Sequence, residues 1–109
     1  MYLLNDKSED APHRELYYME QAIKDGDIVV IDGTQGIVLE LDVYLSNLTL
    51  LNTNIGVVHA KGYDNVYVLN GTVCAINGDV KNADVYGDST VNFNNNVGFL
   101  SCHPAMRVQ

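Results

Sequence analysis

Several residue types that stabilise small domains are scarce in this sequence of 109 residues. It contains no tryptophan, two phenylalanines, two prolines and two cysteines. Cys74 and Cys102 alone cannot build the disulfide framework of a small secreted domain, and we expect both to be reduced thiols. A core must come mainly from aliphatic side chains, which contribute most of the 47% apolar content.

Long apolar runs are also absent. The longest purely aliphatic run is Ile28 to Ile31, much shorter than the roughly 20 residues that a membrane-spanning helix needs. The first ten residues lack the basic region and apolar stretch of a signal peptide. We therefore expect one soluble, cytoplasmic domain without membrane contact.

Basic residues are few, and the acidic ones are unevenly distributed. Six Lys and Arg stand against fourteen Asp and Glu, a net charge of −8, and residues 1–42 alone carry −7. This balance argues against direct nucleic-acid binding, because a phosphate backbone is bound by a basic face. It favours either a basic protein partner or simply high solubility.

What the sequence does contain is an echo at a spacing of 18 residues. Residues 48–61 (LTLLNTNIGVVHAK) align with residues 66–79 (VYVLNGTVCAINGD). The coincident pairs are Leu48 with Val66, Leu50 with Val68, Leu51 with Leu69, Ile55 with Val73, Val57 with Ala75 and Val58 with Ile76. A repeat this short must stack on copies of itself to bury its apolar side. The echo predicts a mainly β fold, a short parallel β-solenoid with about 18 residues per coil and roughly four coils.

A helix is predicted before the repeat. Asp10 can cap it, Pro12 is tolerated in its first turn, and Gly26 can end it. Met19 and Ile23 have the spacing of one apolar face. We expect a single domain with an arm over residues 1–9, a capping helix over 10–26, the solenoid over 28–100 and a tail over 101–109. The last coil has no comparable cap, so its end suits a homodimer contact.

An antiparallel β-meander or sandwich is the alternative fold. Asn70-Gly71 and Asn77-Gly78 are typical of two-residue hairpins. However, the echo preserves whole strands in the same direction, as parallel stacking requires. Asn also tolerates the left-handed backbone conformation of solenoid corners.

The apolar columns of residues 28–100 resemble two β-solenoid families at the level of the fold. One is the hexapeptide-repeat left-handed helix, and the other is the bactofilin type, a short right-handed helix that polymerises end to end. The hexapeptide pattern is met only in part, because Lys61 and Asp79 stand where an aliphatic residue is expected. The resemblance implies a β-solenoid, leaves its handedness open and carries no functional residue across.

The sequence offers no catalytic constellation. His59 and His103 are not at coil spacing, which a metal site between adjacent coils would need. Cys74 has few bases nearby to activate its thiol. We expect no enzyme activity, no cofactor and no metal site. The alternative is a trimeric hexapeptide-type enzyme with a bound metal or an acyl-CoA site between subunits.

Tyrosines accompany the acidic segment. Tyrosine is enriched at protein interfaces, although it also fills β surfaces by propensity. Tyr63, Tyr67 and Tyr86 on later coils are further surface candidates. The predicted partner-binding residues are Glu9, Asp10, Glu15, Glu20, Asp25, Asp27, Asp32, Glu40, Asp42, Tyr17, Tyr18 and Tyr44.

These features lead to an expected function and an alternative. We expect a non-catalytic acidic interaction protein that inhibits a nucleic-acid-processing enzyme by occupying its basic groove, with carboxylates in place of phosphates. Small acidic viral anti-defence proteins, including anti-CRISPR inhibitors, have this general profile, and a viral protein would act in the host cytoplasm. The alternative is a self-assembling scaffold of the bactofilin type, whose coils stack end to end.

Overall fold

The computed structural model describes residues 2–4 and 11–104. Within them the chain forms one α-helix and eight β-strands. The helix is α1 (Ala11–Ala22), and the strands are β1 (Tyr2–Leu4), β2 (Asp27–Asp32), β3 (Gln35–Glu40), β4 (Tyr44–Leu51), β5 (Asn54–Leu69), β6 (Val73–Tyr86), β7 (Thr90–Phe93) and β8 (Val97–His103).

The strands stack in parallel as a β-solenoid of about four turns. One ladder runs β1, β2, β4, β5, β6 and β8, and a second runs β3, β5, β6 and β7. The long strands β5 and β6 contribute their first halves to the second ladder and their second halves to the first. Every pairing between described strands is parallel, so the antiparallel meander is wrong.

The Asn-Gly pair that suggested a hairpin lies at a corner of the solenoid. Asn70 and Gly71 have φ angles of 56° and 73°, the left-handed conformation of a tight hairpin turn. Here the same backbone conformation takes the chain from one ladder to the other. Asn52 (φ 47°) occupies the corresponding corner one coil earlier.

The 18-residue register is confirmed where β4 pairs with β5, and it varies where β5 pairs with β6. The observed pairs include Leu48 with Val66, Leu50 with Val68, Leu51 with Leu69 and Val58 with Ile76. Ile55, however, pairs with Cys74 and not with Val73. The corner after β5 has one residue more than the corner after β4, and an irregularity between Ile55 and Val58 restores the register.

The coil length changes along the stack. Val29 pairs with Leu48, 19 residues later, and Leu48 pairs with Val66, 18 residues later. Val66 pairs with Ala83 and Ala83 with Leu100, each 17 residues later. The 18-residue repeat is therefore clearest where β4 pairs with the second half of β5.

The N-terminal end of the core is covered by α1. Met19 and Ile23 are buried in the hydrophobic core, and α1 contacts β3 and β1. The helix ends at Ala22, before the predicted end at Gly26. Two residues after the helix end, the Lys24 backbone N–H donates to Asp27 Oδ2 at 2.9 Å. The predicted cap, Asp10, lies outside the described residues.

Strands extend beyond the predicted solenoid at both ends. Tyr2–Leu4, within the expected arm, forms β1 and pairs with Val29 to Ile31 of β2. β8 continues to His103, into the expected tail. The solenoid core is therefore closed by a helix at one end, while its other end is formed by β7 and β8.

Candidate functional site

The predicted partner-binding acids are spread over several parts of the molecule. Glu20 lies exposed on α1, and Glu40 lies exposed at the end of β3. Because α1 contacts β3, these two residues belong to the same end of the solenoid. Asp32 is half-buried at the far end of β2 from Asp27, about 16 Å away at the usual rise per strand residue. Those of the twelve residues whose side chains the structure describes therefore do not form one continuous patch.

Two of the acids stabilise the turn that follows α1. Asp25 Oδ1 accepts a hydrogen bond from the Tyr44 backbone N–H at 2.9 Å. Asp27 Oδ2 accepts one from the Lys24 backbone N–H, also at 2.9 Å. These carboxylates accept hydrogen bonds from backbone N–H groups of the turn and of β4, so they have a structural use that the charge count alone did not reveal.

The helix tyrosines are strongly exposed. The exposed fractions of Tyr17 and Tyr18 are 62% and 58%, and their rings meet edge to face with centroids 5.6 Å apart. Met19, which lies between Tyr18 and Glu20 in the sequence, is fully buried. The predicted Glu9 and Asp10 lie outside the described residues, and so does the side chain of Glu15. Tyr17, Tyr18, Glu20 and Glu40 form what we call the N-terminal surface.

Tyr44 belongs to a different group of side chains, which spans three coils. Its hydroxyl donates to Asp64 Oδ1, and Lys81 Nζ lies 3.1 Å from the same oxygen. The Lys81 ammonium also lies 5.8 Å from the centroid of the Tyr44 ring, within the range of a cation–π contact. Gly62 makes room for the ring, since a Cβ there would lie 2.7 Å from Tyr44 Cε2.

The electrostatics of this Tyr44–Asp64–Lys81 cluster are mutually reinforcing. The hydrogen bond from Tyr44, followed by that from Lys81, lowers the pKa of the Asp64 carboxyl. The hydrogen bond to Asp64 raises the pKa of Tyr44 and that of Lys81. Asp64 therefore stays a carboxylate that binds Tyr44 of the preceding coil and Lys81 of the next one. Sequence reasoning missed it, because only the 17-residue step from Asp64 to Lys81 signals their proximity.

The lysines of the central coils already face carboxylates. Lys61 Nζ lies 3.6 Å from Asp42 Oδ1, and Lys81 Nζ lies 3.1 Å from Asp64 Oδ1. Both lysines line a groove of about 260 Å³ together with Gly62 and Asp79. Asp42, a predicted partner-binding residue, is thus next to a base. Exposed pairs of this kind contribute little stability, but they make this region close to neutral.

Comparisons with known proteins identify no relative. No family model matches the chain, and neither a curated protein nor a solved structure matches it. The likeness to β-solenoid families therefore concerns the fold alone.

The reactive side chains of the described region are dispersed. Cys74 is buried on β6, and burial raises the pKa of its thiol to about 12. His103 Nε2 lies 2.8 Å from Asp84 Oδ1, and the His103 ring stacks on Tyr86. Cys102 is adjacent to His103 on β8, so the two side chains point to opposite sides of the strand. This placement gives the imidazole no thiol to activate.

Two further findings concern metals and membranes. Among residues 2–4 and 11–104, no three His, Cys, Asp or Glu side chains come together in a way that would hold a metal ion. In the same part of the chain, α1 is neither long nor apolar enough to cross a membrane.

Tyr63 is not part of any surface, contrary to expectation. It is fully buried, and its hydroxyl donates to the carbonyl oxygens of Val58 and Asn77, each at 3.1 Å. Ala60 and Tyr63 are both buried although they are three positions apart, because the strand pairing is irregular between His59 and Gly62. Simple alternation along a straight strand cannot predict that step.

Proposed function

We propose that the protein is a non-catalytic interaction protein that binds a basic partner through its N-terminal surface. The observation that supports this most is the exposure of two carboxylates and two tyrosines on contacting elements, α1 and β3. Tyrosines bury a large area at a low entropic cost. Carboxylates beside them give charge complementarity to Lys and Arg.

The distribution of the bases supports the choice of this end. Lys61 and Lys81 lie next to Asp42 and Asp64 in the central coils. The excess negative charge therefore belongs to the N-terminal segment, which carries −7 of the total of −8. A field of one sign at one end of a rigid stack attracts a partner of opposite sign and orients it.

The partner that fits best is the basic groove of an enzyme that processes DNA or RNA. Such a groove is lined by Lys and Arg that neutralise phosphates. Carboxylates held on a helix and on a stacked strand would take the place of those phosphates and exclude the nucleic acid. This is the mode of action of an inhibitor, and it is the profile of small viral anti-defence proteins of the anti-CRISPR kind.

The test is competition with nucleic acid. A partner is first captured from the native host, purified and titrated with the protein in the presence of its own nucleic acid. We expect the nucleic acid to displace the protein and the affinity to fall steeply as salt rises. Simultaneous binding of both, or an affinity that salt does not change, would contradict the proposal.

Single charge reversals locate the binding surface. Glu20→Lys and Glu40→Lys each change the charge by two units on the N-terminal surface. Asp88→Lys makes the same change near the other end of the stack, where Asp88 is exposed. We expect about a tenfold loss of affinity for each of the first two variants and no loss for Asp88→Lys. Equal losses for all three would mean that only net charge matters.

The scaffold alternative is favoured by one observation and opposed by another. The last described coil leaves an apolar end exposed, which suits self-association. A filament of stacked coils, however, needs two open ends, and α1 buries Met19 and Ile23 over the first coil. The geometry therefore fits contact through one end better than it fits polymerisation.

A further inference from the structure

The C-terminal end of the solenoid has open strand edges on both of its ladders. In the described part of the chain, β7 pairs only with β6, and β8 also pairs only with β6. Each of the two strands therefore presents an edge with backbone N–H and C=O groups directed away from the stack. Such edges are ready to pair with another strand.

The apolar core is open at the same end. Leu48, Val66, Ala83 and Leu100 follow one another in register along the first ladder. Their exposed fractions are 0%, 0%, 2% and 53%. A pocket of about 290 Å³ lies beside Leu100, and its lining includes Val91, Phe93 and Cys102. A further layer of strands would bury Leu100 as completely as Leu48, Val66 and Ala83 are buried.

Charge is missing where an exposed edge would normally carry it. Residues 89–104 contain no Asp, Glu, Lys or Arg, in a chain with twenty such residues. Proteins that keep an edge strand unpaired protect it with charged side chains, especially Lys, or with a bulge. The exposed carboxylates Glu20 and Glu40 lie at the opposite end, so two copies that meet at β7 and β8 keep these negative charges far apart.

We propose that two copies of the chain join head to head through these ends. A two-fold axis through both ladders would place β7 and β8 of one copy antiparallel to the same strands of the other. Both ladders would then continue across the contact, and the two Leu100 columns would bury each other. Because this contact uses the C-terminal end of each copy once, and α1 covers the core at the other end, this assembly stops at a dimer.

The contact is large enough for a weak, reversible dimer. The principal dimensions of the molecule are 34, 32 and 22 Å, so an elliptical face across any two of them measures roughly 550 to 850 Å² per copy. The total of roughly 1,100 to 1,700 Å² lies in the lower part of the range of standard protein interfaces. The dimer should accordingly dissociate on dilution.

Sedimentation of the full chain over a thousand-fold range of concentration tests the proposal. We expect the mass to rise from 12.0 kDa to twice that value and then to stay constant. Leu100→Lys should remain monomeric over the whole range. Val38→Lys is the matched control, because Val38 is an apolar strand residue of similar exposure, 49%, near the closed end. It should dimerise as the parent does.

Labelling of Cys102 gives a second readout that needs no variant. Cys102 is exposed in the single chain and lines the pocket at the proposed contact, whereas Cys74 is buried in either state. Alkylation of Cys102 should therefore slow several-fold at concentrations where the dimer forms, and Cys74 should stay unreactive.

Three outcomes would overturn the proposal. A full chain that stays monomeric throughout would mean that residues 105–109 or nothing at all cover the end. A mass that keeps growing beyond the dimer would indicate stacking of unlike ends, as in a scaffold. Dimerisation of Leu100→Lys would place the contact elsewhere. The proposal is independent of the basic partner, since Glu20→Lys should lose that partner and still dimerise.

Discussion

At the scale of single residues, buried threonines line one corner of the solenoid. Thr34, Thr53 and Thr72 are each at most 2% exposed and follow one another at intervals of 19 residues. The Thr53 hydroxyl donates to the Thr34 carbonyl oxygen, and the Thr53 backbone N–H donates to Thr72 Oγ1 at 3.3 Å. These hydroxyls supply hydrogen bonds to backbone groups that the corner removes from the β ladders.

Replacing Thr72 by valine should therefore be costly. The Thr72 hydroxyl donates to the Leu69 carbonyl oxygen at 2.7 Å and accepts the Thr53 N–H. Thr72→Val keeps the shape of the side chain and leaves both buried groups without this partner. We expect the free energy of unfolding, measured with urea, to fall by about 2 kcal/mol.

Thr34→Val is the matched control, since it makes the same chemical change at an equivalent corner. In the described part of the chain, the Thr34 hydroxyl is buried without a hydrogen-bond partner. Its removal should change the free energy of unfolding by less than about 0.5 kcal/mol, or increase it. Equal losses for the two variants would mean that the hydroxyl bonds of the corner do not matter.

The buried Tyr63 predicts how stability depends on pH. Burial raises the pKa of Tyr63 above its ordinary value of 10.0, and it raises that of Cys74 from 9.0 to about 12. In the unfolded chain both groups lose protons near their ordinary values. Above about pH 9 the unfolded state therefore binds fewer protons than the folded one, and stability falls as the pH rises.

In Tyr63→Phe, the free energy of unfolding should fall less steeply as the pH rises. The variant removes one of the groups whose raised pKa favours the unfolded state at high pH, and it costs about 1 kcal/mol near neutral pH through the lost hydrogen bonds. The measurement is urea unfolding between about pH 8 and pH 11. Tyr18→Phe, at an exposed position, is the control and should keep the slope of the parent. This account is wrong if the free energy of unfolding of Tyr63→Phe falls with pH as steeply as that of the parent.

At the scale of strands and corners, the sequence predicts the straight segments better than the bends. The columns through Leu48 and Leu50 follow from alternation, because every second residue of a strand faces the core. The extra corner residue after β5 shifts Ile55 onto Cys74, and the irregular pairing beside Tyr63 replaces a step of two by a step of three. The local sequence pattern predicts neither the extra corner residue nor the step of three, because the packing of one coil on the next sets both.

The candidate site was predictable in part for a similar reason. Net charge singled out residues 1–42, but within them Asp25 and Asp27 accept backbone hydrogen bonds. The Tyr44–Asp64–Lys81 cluster was not predictable, because its members come from three coils. β1 also escaped prediction, since three residues are too few to display a period.

Gly78 fixes the close approach of two coils at a corner. Its φ angle is 117°, and a Cβ there would lie 2.5 Å from the Ala60 carbonyl oxygen. Gly36, with φ 71°, has no atom within 4 Å of such a Cβ. Gly78→Ala should therefore cost about 3 kcal/mol or more, whereas Gly36→Ala should cost only the roughly 1 kcal/mol of the left-handed backbone. Denaturation with urea measures both, and comparable losses would show that the corner can open.

At the scale of the whole molecule, the two ends differ in what covers them and in their charge. At one end a helix with exposed tyrosines contacts the outermost strands β1 and β3, and Glu20 and Glu40 are exposed. The other has strand edges that no described helix contacts, an open apolar column and no Asp, Glu, Lys or Arg from 89 to 104. A single chain therefore has room for two independent contacts, one with a basic partner and one with its own copy.

The stack also predicts a gradient of local stability. In a solenoid each coil contacts only its neighbours, so a terminal coil has half of the contacts of an internal one. β7 and β8 have one neighbouring strand among those described, whereas β5 lies between others on both ladders. Opening of the last coil should thus cost much less free energy than opening of the centre.

Hydrogen exchange of the dilute, monomeric chain measures this gradient. We expect the amides of β7 and β8 to exchange at least tenfold faster than those in the second half of β5, with β2 intermediate because β1 and α1 cover its side of the stack. At concentrations that favour the head-to-head dimer, β7 and β8 alone should gain protection, while β5 should not change. Uniform exchange across all strands in the dilute sample would instead mean that the coils unfold as one cooperative unit.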